Sequence, residues 1–281
     1  MPLDASAIFA PDALADRVVL VTGGGTGLGR AAAVELAACG ARVLISGRRE
    51  EVLADAVQHV GHGCGFVAGD VREPADAERM VDAALERFGR LDVLVNNAGG
   101  QYFVPAEAIA AKGWRAVMRL NVGGTELMTR VAVERAMRPA GGGTVVNVTL
   151  SPHHGLAGMT HSSAARAAVE GYTRAQAEAW RENGIAVIAI AAGHYDTESL
   201  RKYPEPVWRG AARTVPLQRL GREEEHAWLV ALTASELGAS LSGAVLTLDG
   251  ARDNWFGPWP PGEIADPGGV VPTEARRPFS G

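Results

Sequence analysis

Apolar residues in this chain gather into seven short continuous runs. They lie at 17–22 (RVVLVT), 41–46 (ARVLIS), 65–69 (GFVAG), 91–96 (LDVLVN), 143–148 (GTVVNV), 185–190 (IAVIAI) and 244–249 (AVLTLD). Most are rich in β-branched residues and bounded by Gly or Asp, the pattern of strands covered on both faces. Between them, segments of helical length fall at 27–38, 50–59, 74–88, 112–138, 163–182 and 223–234. This alternation predicts a doubly wound α/β fold, a seven-stranded parallel sheet with right-handed crossovers and flanking helices. Residues 1–15 read as an N-terminal arm and 16–250 as one domain. Residues 251–281, rich in Pro, Gly and Trp, have no periodicity. They read either as a mobile tail or as an arm that packs its indoles on a neighbouring subunit or over the site.

Composition narrows the function classes. A chain of 281 residues, 47% hydrophobic and 21% charged, suits one large α/β domain. A net charge of −5 argues against a nucleic-acid or anionic-membrane partner. Cys39 and Cys64 cannot build a disulfide framework and read as small buried thiols. No apolar run reaches about 18 residues, so no membrane span is expected. With neither a secretory signal nor a peroxisomal C-terminus, a cytoplasmic protein is expected.

The chemistry begins in the turn after the first run. TGGGTGLGR (22–30) leaves a strand and opens a helix. In that context Gly23, Gly27 and Gly29 permit a tight turn and close approach of a pyrophosphate, with Thr26 and Leu28 in the same turn. The helix N-terminus offers free N–H groups and positive dipole. This is the Rossmann arrangement for a dinucleotide. A strand that selects NAD ends on Asp or Glu, which accepts from the ribose hydroxyls. Here the second run ends on Ser46 and Gly47, followed by Arg48 and Arg49. A guanidinium there suits a 2′-phosphate, which favours NADP(H); the other reading of the pair is a solvated helix start. Asp70, with Val71, ends the third run, where the carboxylate either accepts from the adenine amino group or caps the next helix. Asn97, Ala98 and Gly99 end the fourth, and their small size admits the adenosine ribose.

TGGGTGLG, NNAGG, the Asn of LNVGG and the strand-end VVNV resemble the short-chain dehydrogenase/reductase superfamily over about residues 15–250. NNAGGQYFVPAEAIAAKGW and HSSAARAAV are most similar to its peroxisomal trans-2-enoyl-CoA reductase and dienoyl-CoA reductase branch. That branch's bacterial relatives include proteins labelled citronellol dehydrogenases. In the superfamily a Ser, a Tyr and a Lys four residues later act together. The resemblance sets Ser162 at the Tyr position, Arg166 at the Lys position and Thr149 at the Ser position, so all three depart. Asn121 matches the Asn that kinks its helix in the proton relay. Gly193 and Thr197 match the loop that binds the nicotinamide amide, and residues 195–220 its lid, made apolar by Val207 and Trp208.

The departures imply specific chemistry. Arg166 is expected to hold the nicotinamide ribose; a guanidinium stays charged and is a poor proton relay. Ser162 is expected to be a hydrogen-bond donor to the substrate carbonyl. That set suits reduction of a C=C conjugated to a carbonyl, as in an enoyl thioester, where donors stabilise an enolate without delivering a proton in the same step. His161 is a candidate acid, and His153, His154 and His194 also fall near the site; they lack metal-site spacing. A small-molecule substrate, of which an acyl-CoA is one candidate, and a homotetramer built on the outward faces of 112–138 and 163–182, through Leu127, Val131 and Val169, follow from the same resemblance. Two alternatives remain: oxidation of a terpenoid alcohol or aldehyde, and a cofactor-binding protein turned to non-redox chemistry or regulation.

Overall fold

The computed structural model describes residues 8–156, 158–203 and 211–254. All seven apolar runs are strands: β1 (Val18–Thr22), β2 (Arg42–Gly47), β3 (Gly65–Ala68), β4 (Val93–Asn96), β5 (Gly143–Leu150), β6 (Ile185–Ala192) and β7 (Val245–Leu248). They form one parallel sheet in the order β3-β2-β1-β4-β5-β6-β7. The order reverses between β1 and β4, which opens a crevice at the strand C-termini.

The period of two along β1 divides the core. Val19 and Val21 join Leu36, Ile45 and Ile190 on one face. Val18 and Leu20 join Met80, Leu94 and Met128 on the other. Burial on both sides explains why the strands read as continuous apolar runs, and each such side chain contributes about 1.5–3 kcal/mol.

Among the described residues the helices are α1 (Gly27–Ala38), α2 (Glu50–Val60), α3 (Pro74–Phe88), α4 (Ala111–Met118), α5 (Gly124–Ala132), α6 (Arg138–Ala140), α7 (Thr160–Ala179), α8 (Glu198–Arg201) and α9 (Glu223–Ala234). The segment expected to be a single helix at 112–138 is instead interrupted by two π turns, Arg119–Gly123 and Val133–Met137. Pro74 opens α3, and Gly89, at φ 79°, closes it. Glu50 and Glu51 occupy the first turn of α2. The first turn of α1 holds no acid, and Thr26 makes no side-chain cap there, so its N–H groups stay available.

Three expectations change. Leu127, Val131 and Val169 do not face outward; they are buried at 7%, 4% and 1% exposure. The reason is that α5 turns Leu127 and Val131 onto the sheet and α3, while α7 turns Val169 inward as it packs on β5 and β6. Small and charged residues such as Ala167, Gly171 and Arg174 form the outer face instead. The domain also begins before residue 16, because Leu14 is buried and its N–H donates to the Cys39 carbonyl at 2.8 Å. At the other end it extends past β7, through Arg252 and Asp253. Val207, Trp208 and the C-terminal indoles lie outside the described residues. Among those described, no helix is long and apolar enough to cross a membrane.

Candidate active site

A cavity of about 1200 Å³ lies along the C-terminal edge of the sheet. Its floor is the glycine loop. Gly23 and Gly27 hold φ of 66° and 52°, which L side chains rarely adopt. Gly29 has no room for a side chain: a Cβ there would stand 2.4 Å from both Asn97 Nδ2 and the Gly23 carbonyl. Asn97 Nδ2 donates to the carbonyls of Thr22 (3.0 Å) and Gly23 (3.2 Å). Thr22 Oγ1 accepts from the N–H groups of Asn97 (3.1 Å) and Ala98 (3.0 Å) and donates to the Val95 carbonyl at 3.2 Å. The ends of β1 and β4 are thereby one rigid piece. A bare loop, an uncapped helix N-terminus and a wall carrying Arg48 and Arg49 fit an anionic dinucleotide.

Two of the expected cofactor contacts change. Ser46 is fully buried, its hydroxyl without a partner, and has no surface on the cavity. The short side chain at the end of β2 points into the protein. Asp70 does reach the cavity, but its carboxylate is held by Arg72, whose Nε donates to Oδ1 at 2.8 Å. That bond holds its pKa below the usual value. Thr26, Leu28, Val71, Ala98, Gly193 and Thr197 all line the cavity. Thr197 Oγ1 also accepts from the Leu200 N–H at 3.2 Å and starts α8.

The helix α7 places Ser162, Arg166 and Glu170 at i, i+4 and i+8, on one face. Only Arg166 behaves as the sequence suggests in reaching the cavity. Its Nη1 donates to the Val148 carbonyl at 2.8 Å, and its Nε has no partner. Burial lowers its pKa to about 10, so it is charged at neutral pH. A Cβ on Gly99 would stand 2.4 Å from its Nη2. Ser162 is fully buried; its hydroxyl points at Gln101 Oε1, 3.4 Å away, and has no surface on the cavity. A serine stops several bonds short of where a phenol hydroxyl at the same position would stand. His161 is likewise fully buried, edge-on to Tyr102 with centroids 4.5 Å apart, and neither ring nitrogen has a partner. It has no surface on the cavity.

Asn121 sits in the first π turn, as its kink requires, and both of its N–H groups are used. Its Nδ2 donates to the carbonyls of Gly100 (2.8 Å) and Val117 (2.9 Å), and its Oδ1 accepts from the Gly100 N–H at 3.1 Å. It shapes the NNAGG loop without facing the cavity.

Several site residues escaped the sequence reading. Thr149, noted only for its position, lines the cavity and donates to Glu170 Oε1 at 3.0 Å. The chain after β7 returns to the site. Asp253 Oδ2 lies 2.6 Å from His153 Nδ1, and Arg252 Nη1 lies 2.7 Å from His194 Nδ1. Burial, with Arg252 adding to it, lowers the His194 pKa to about 3, so it is neutral at physiological pH. The cluster of histidines was the one sequence signal for this corner.

A model of the family described as short chain dehydrogenase matches residues 17–207. A probable 2,4-dienoyl-CoA reductase of Bacillus subtilis is 36% identical over 253 residues, spanning 87% of this chain and 98% of the relative. A peroxisomal 2,4-dienoyl-CoA reductase of Danio rerio is 34% identical, spanning 86% and 83% respectively. The solved structure of a citronellol catabolism dehydrogenase from Pseudomonas aeruginosa superposes with a TM-score of 0.79 at 35% identity, over 89% of this chain and 99% of that one. With the glycine loop, strand order and cavity in their places, the chain belongs to the short-chain dehydrogenase family and is an oxidoreductase.

Proposed function

We propose that the protein uses NADP(H) to reduce a C=C bond conjugated to a carbonyl, as in an enoyl or dienoyl thioester. The observation that carries this reading is the pair at the cavity wall: a charged guanidinium, Arg166, and a hydroxyl, Thr149, where the family has Lys and Ser, with no phenol between them. Reduction of a simple ketone needs an acid at oxygen. A conjugated acceptor needs only donors that stabilise an enolate, with carbon protonated separately. The dienoyl-CoA reductases among the relatives support an acyl-CoA substrate.

The bound reduced nicotinamide would supply the hydride. The chain's own residues do the rest. The glycine loop and the α1 N-terminus hold the pyrophosphate, and Arg48 takes the 2′-phosphate. Arg166 holds the nicotinamide ribose, and Gly193 and Thr197 flank the carboxamide. Thr149 takes the donor role that the sequence assigned to Ser162, because it alone of the two has surface on the cavity.

NADPH oxidation by purified protein with crotonyl-CoA and a longer dienoyl-CoA tests the reading. Turnover is expected. NADP reduction by terpenoid alcohols without enoyl turnover would favour the alcohol dehydrogenase reading. Binding without turnover across enones, carbonyls and alcohols would favour non-redox chemistry. Arg48 is expected to give NADPH a tenfold to hundredfold tighter Kd than NADH, about one charge-assisted contact. Arg48→Ala should remove most of that margin, and equal constants in the unaltered protein would refute it. We also propose a homotetramer formed through the small-residue outer face of α7 around Ala167 and Gly171. Light scattering that gives 29.3 kDa at micromolar concentration would refute it.

A further inference from the structure

The functional reading leaves one step without an agent, the delivery of a proton. Glu170, on α7, is 5% exposed, a buried carboxylate one residue away from open cavity. Its Oε1 accepts from Thr149 Oγ1 at 3.0 Å and lies 3.0 Å from His153 Nε2. No ion pair joins it to Arg166 among the described residues. His153 is fixed from its far side. Its Nδ1 is 2.6 Å from Asp253 Oδ2, and its backbone N–H donates to Asp253 Oδ1 at 2.5 Å. Asp253 is held in turn by its own N–H, which donates to Asp249 Oδ2 at 2.8 Å, and Asp249 also accepts from the Ser151 hydroxyl. The His153 side chain is 31% exposed, while Thr149 is 3% exposed with that surface on the cavity. One end of the line meets solvent and the other meets the substrate space.

From this geometry we infer that His153, Glu170 and Thr149 form a proton-delivery line in which Thr149 is the terminal donor to the substrate and Asp253 fixes the imidazole. The inference rests on the reductive reading above. A threonine hydroxyl has one hydrogen. While Glu170 is ionised, that hydrogen points at the carboxylate. Once Glu170 has taken the proton from His153 Nε2 it becomes the donor to Thr149, and the Thr149 hydrogen is free to face the cavity. The Thr149 O–H bond then breaks as an O–H bond forms on the enolate oxygen that it faces, and the resulting enol becomes the carbonyl compound by giving up that proton to solvent as its carbon takes one from solvent. Glu170 restores the hydroxyl, His153 restores Glu170, and water restores His153. One proton leaves solvent for each acceptor reduced, and the electron pair comes with the hydride.

The charged and titratable groups facing His153 are Glu170 from α7, Asp253 from the segment after β7, with Asp249 behind it, and His154 beside it, 3.8 Å from Asp253. Burial pulls the imidazole down, but the two carboxylates outweigh it and hold its pKa above the ordinary value of 6.5. The protonated form delivers, so turnover should fall as pH rises through that raised pKa.

Two measurements on the full-length protein test the line. The first is an NMR titration of the His153 imidazole without cofactor or substrate, assigned with His153→Gln. Glu170→Gln is expected to lower the His153 pKa by about one unit or more, since it removes a carboxylate at contact distance. An unmoved titration overturns the inference whatever the substrate. The second is the pH profile of NADPH oxidation with crotonyl-CoA. His153→Gln should lower kcat about a hundredfold and flatten the alkaline limb, with unchanged NADPH affinity. Thr149→Val should lose activity, and Thr149→Ser should restore it. A His153→Gln enzyme with the original profile overturns the line. If the unaltered protein oxidises no NADPH with enoyl thioesters, the functional reading itself fails, and the same variants are then read on whichever carbonyl or alcohol turns over.

Discussion

Arg166→Met is expected to raise the melting temperature while weakening NADPH binding about a hundredfold. The guanidinium is half-buried at the cavity wall, its buried Nε lacks a partner, and its one intramolecular bond goes to the Val148 carbonyl. No carboxylate pairs with it among the described residues. Desolvating a charge without a counter-charge costs several kcal/mol, and an apolar side chain of similar length removes that cost. A net gain of about 1–3 kcal/mol translates to a few degrees for a domain of this size. The loss falls on the ligand side. Charge-assisted hydrogen bonds to ribose hydroxyls contribute about 1.5–3 kcal/mol, which is roughly tenfold to more than a hundredfold in Kd. Calorimetry and a fluorescence titration measure the two signs separately. A lower melting temperature with unchanged affinity would make Arg166 a structural residue.

Gly29→Ala should have the opposite pattern, losing both stability and binding. The new methyl would press on the Asn97 amide and the Gly23 carbonyl, both at 2.4 Å. Neither retreats without breaking the Asn97 bonds that join β1 to β4. Overpacking of this kind costs about 1–3 kcal/mol, about 2–12 °C in melting temperature for a domain of this size. NADPH affinity should drop at least tenfold, because the loop that must move is the one that receives the pyrophosphate. Removing the Asn97 side chain in a Gly29→Ala, Asn97→Ala double variant should not rescue binding, since the carbonyl clash remains. Full recovery would show that the side chain, and not the backbone, sets the constraint.

These two sites also show where the sequence was legible. Gly29 stood out because a glycine pattern between an apolar run and a helix has one physical use, and the seven strands were legible because burial on both faces leaves continuous apolar runs. Arg166, set at the Lys position by the family resemblance, lines the cavity, because a place on one helix face fixes direction as well as position. Ser162 shows the limit of that reasoning: its place on the face was right, but reach depends on side-chain length. Leu127, Val131 and Val169 were assigned outward because an apolar stripe on a helix does not say which neighbour it meets. Glu170 looked like one more helix residue, and Asp253 looked like the start of a tail. Their contacts with Thr149 and His153 span 21 and 100 residues, and no local period records a pairing across such distances.

The return of the chain after β7 has a consequence for how the protein acquires activity. The bonds from Ser151 and His153 to Asp249 and Asp253 close loops of 98 and 100 residues. Most sheet registers can be set by strands much nearer in sequence. Loop closure of that length carries its entropic cost late, after local structure is already in place. A refolding experiment followed by circular dichroism should therefore finish before one followed by enzyme turnover. A chain cut just beyond the seventh strand should keep its secondary structure while its reaction loses its response to acidity. A purification tag joined close to residue 254 would disturb the proton supply long before it disturbed the fold.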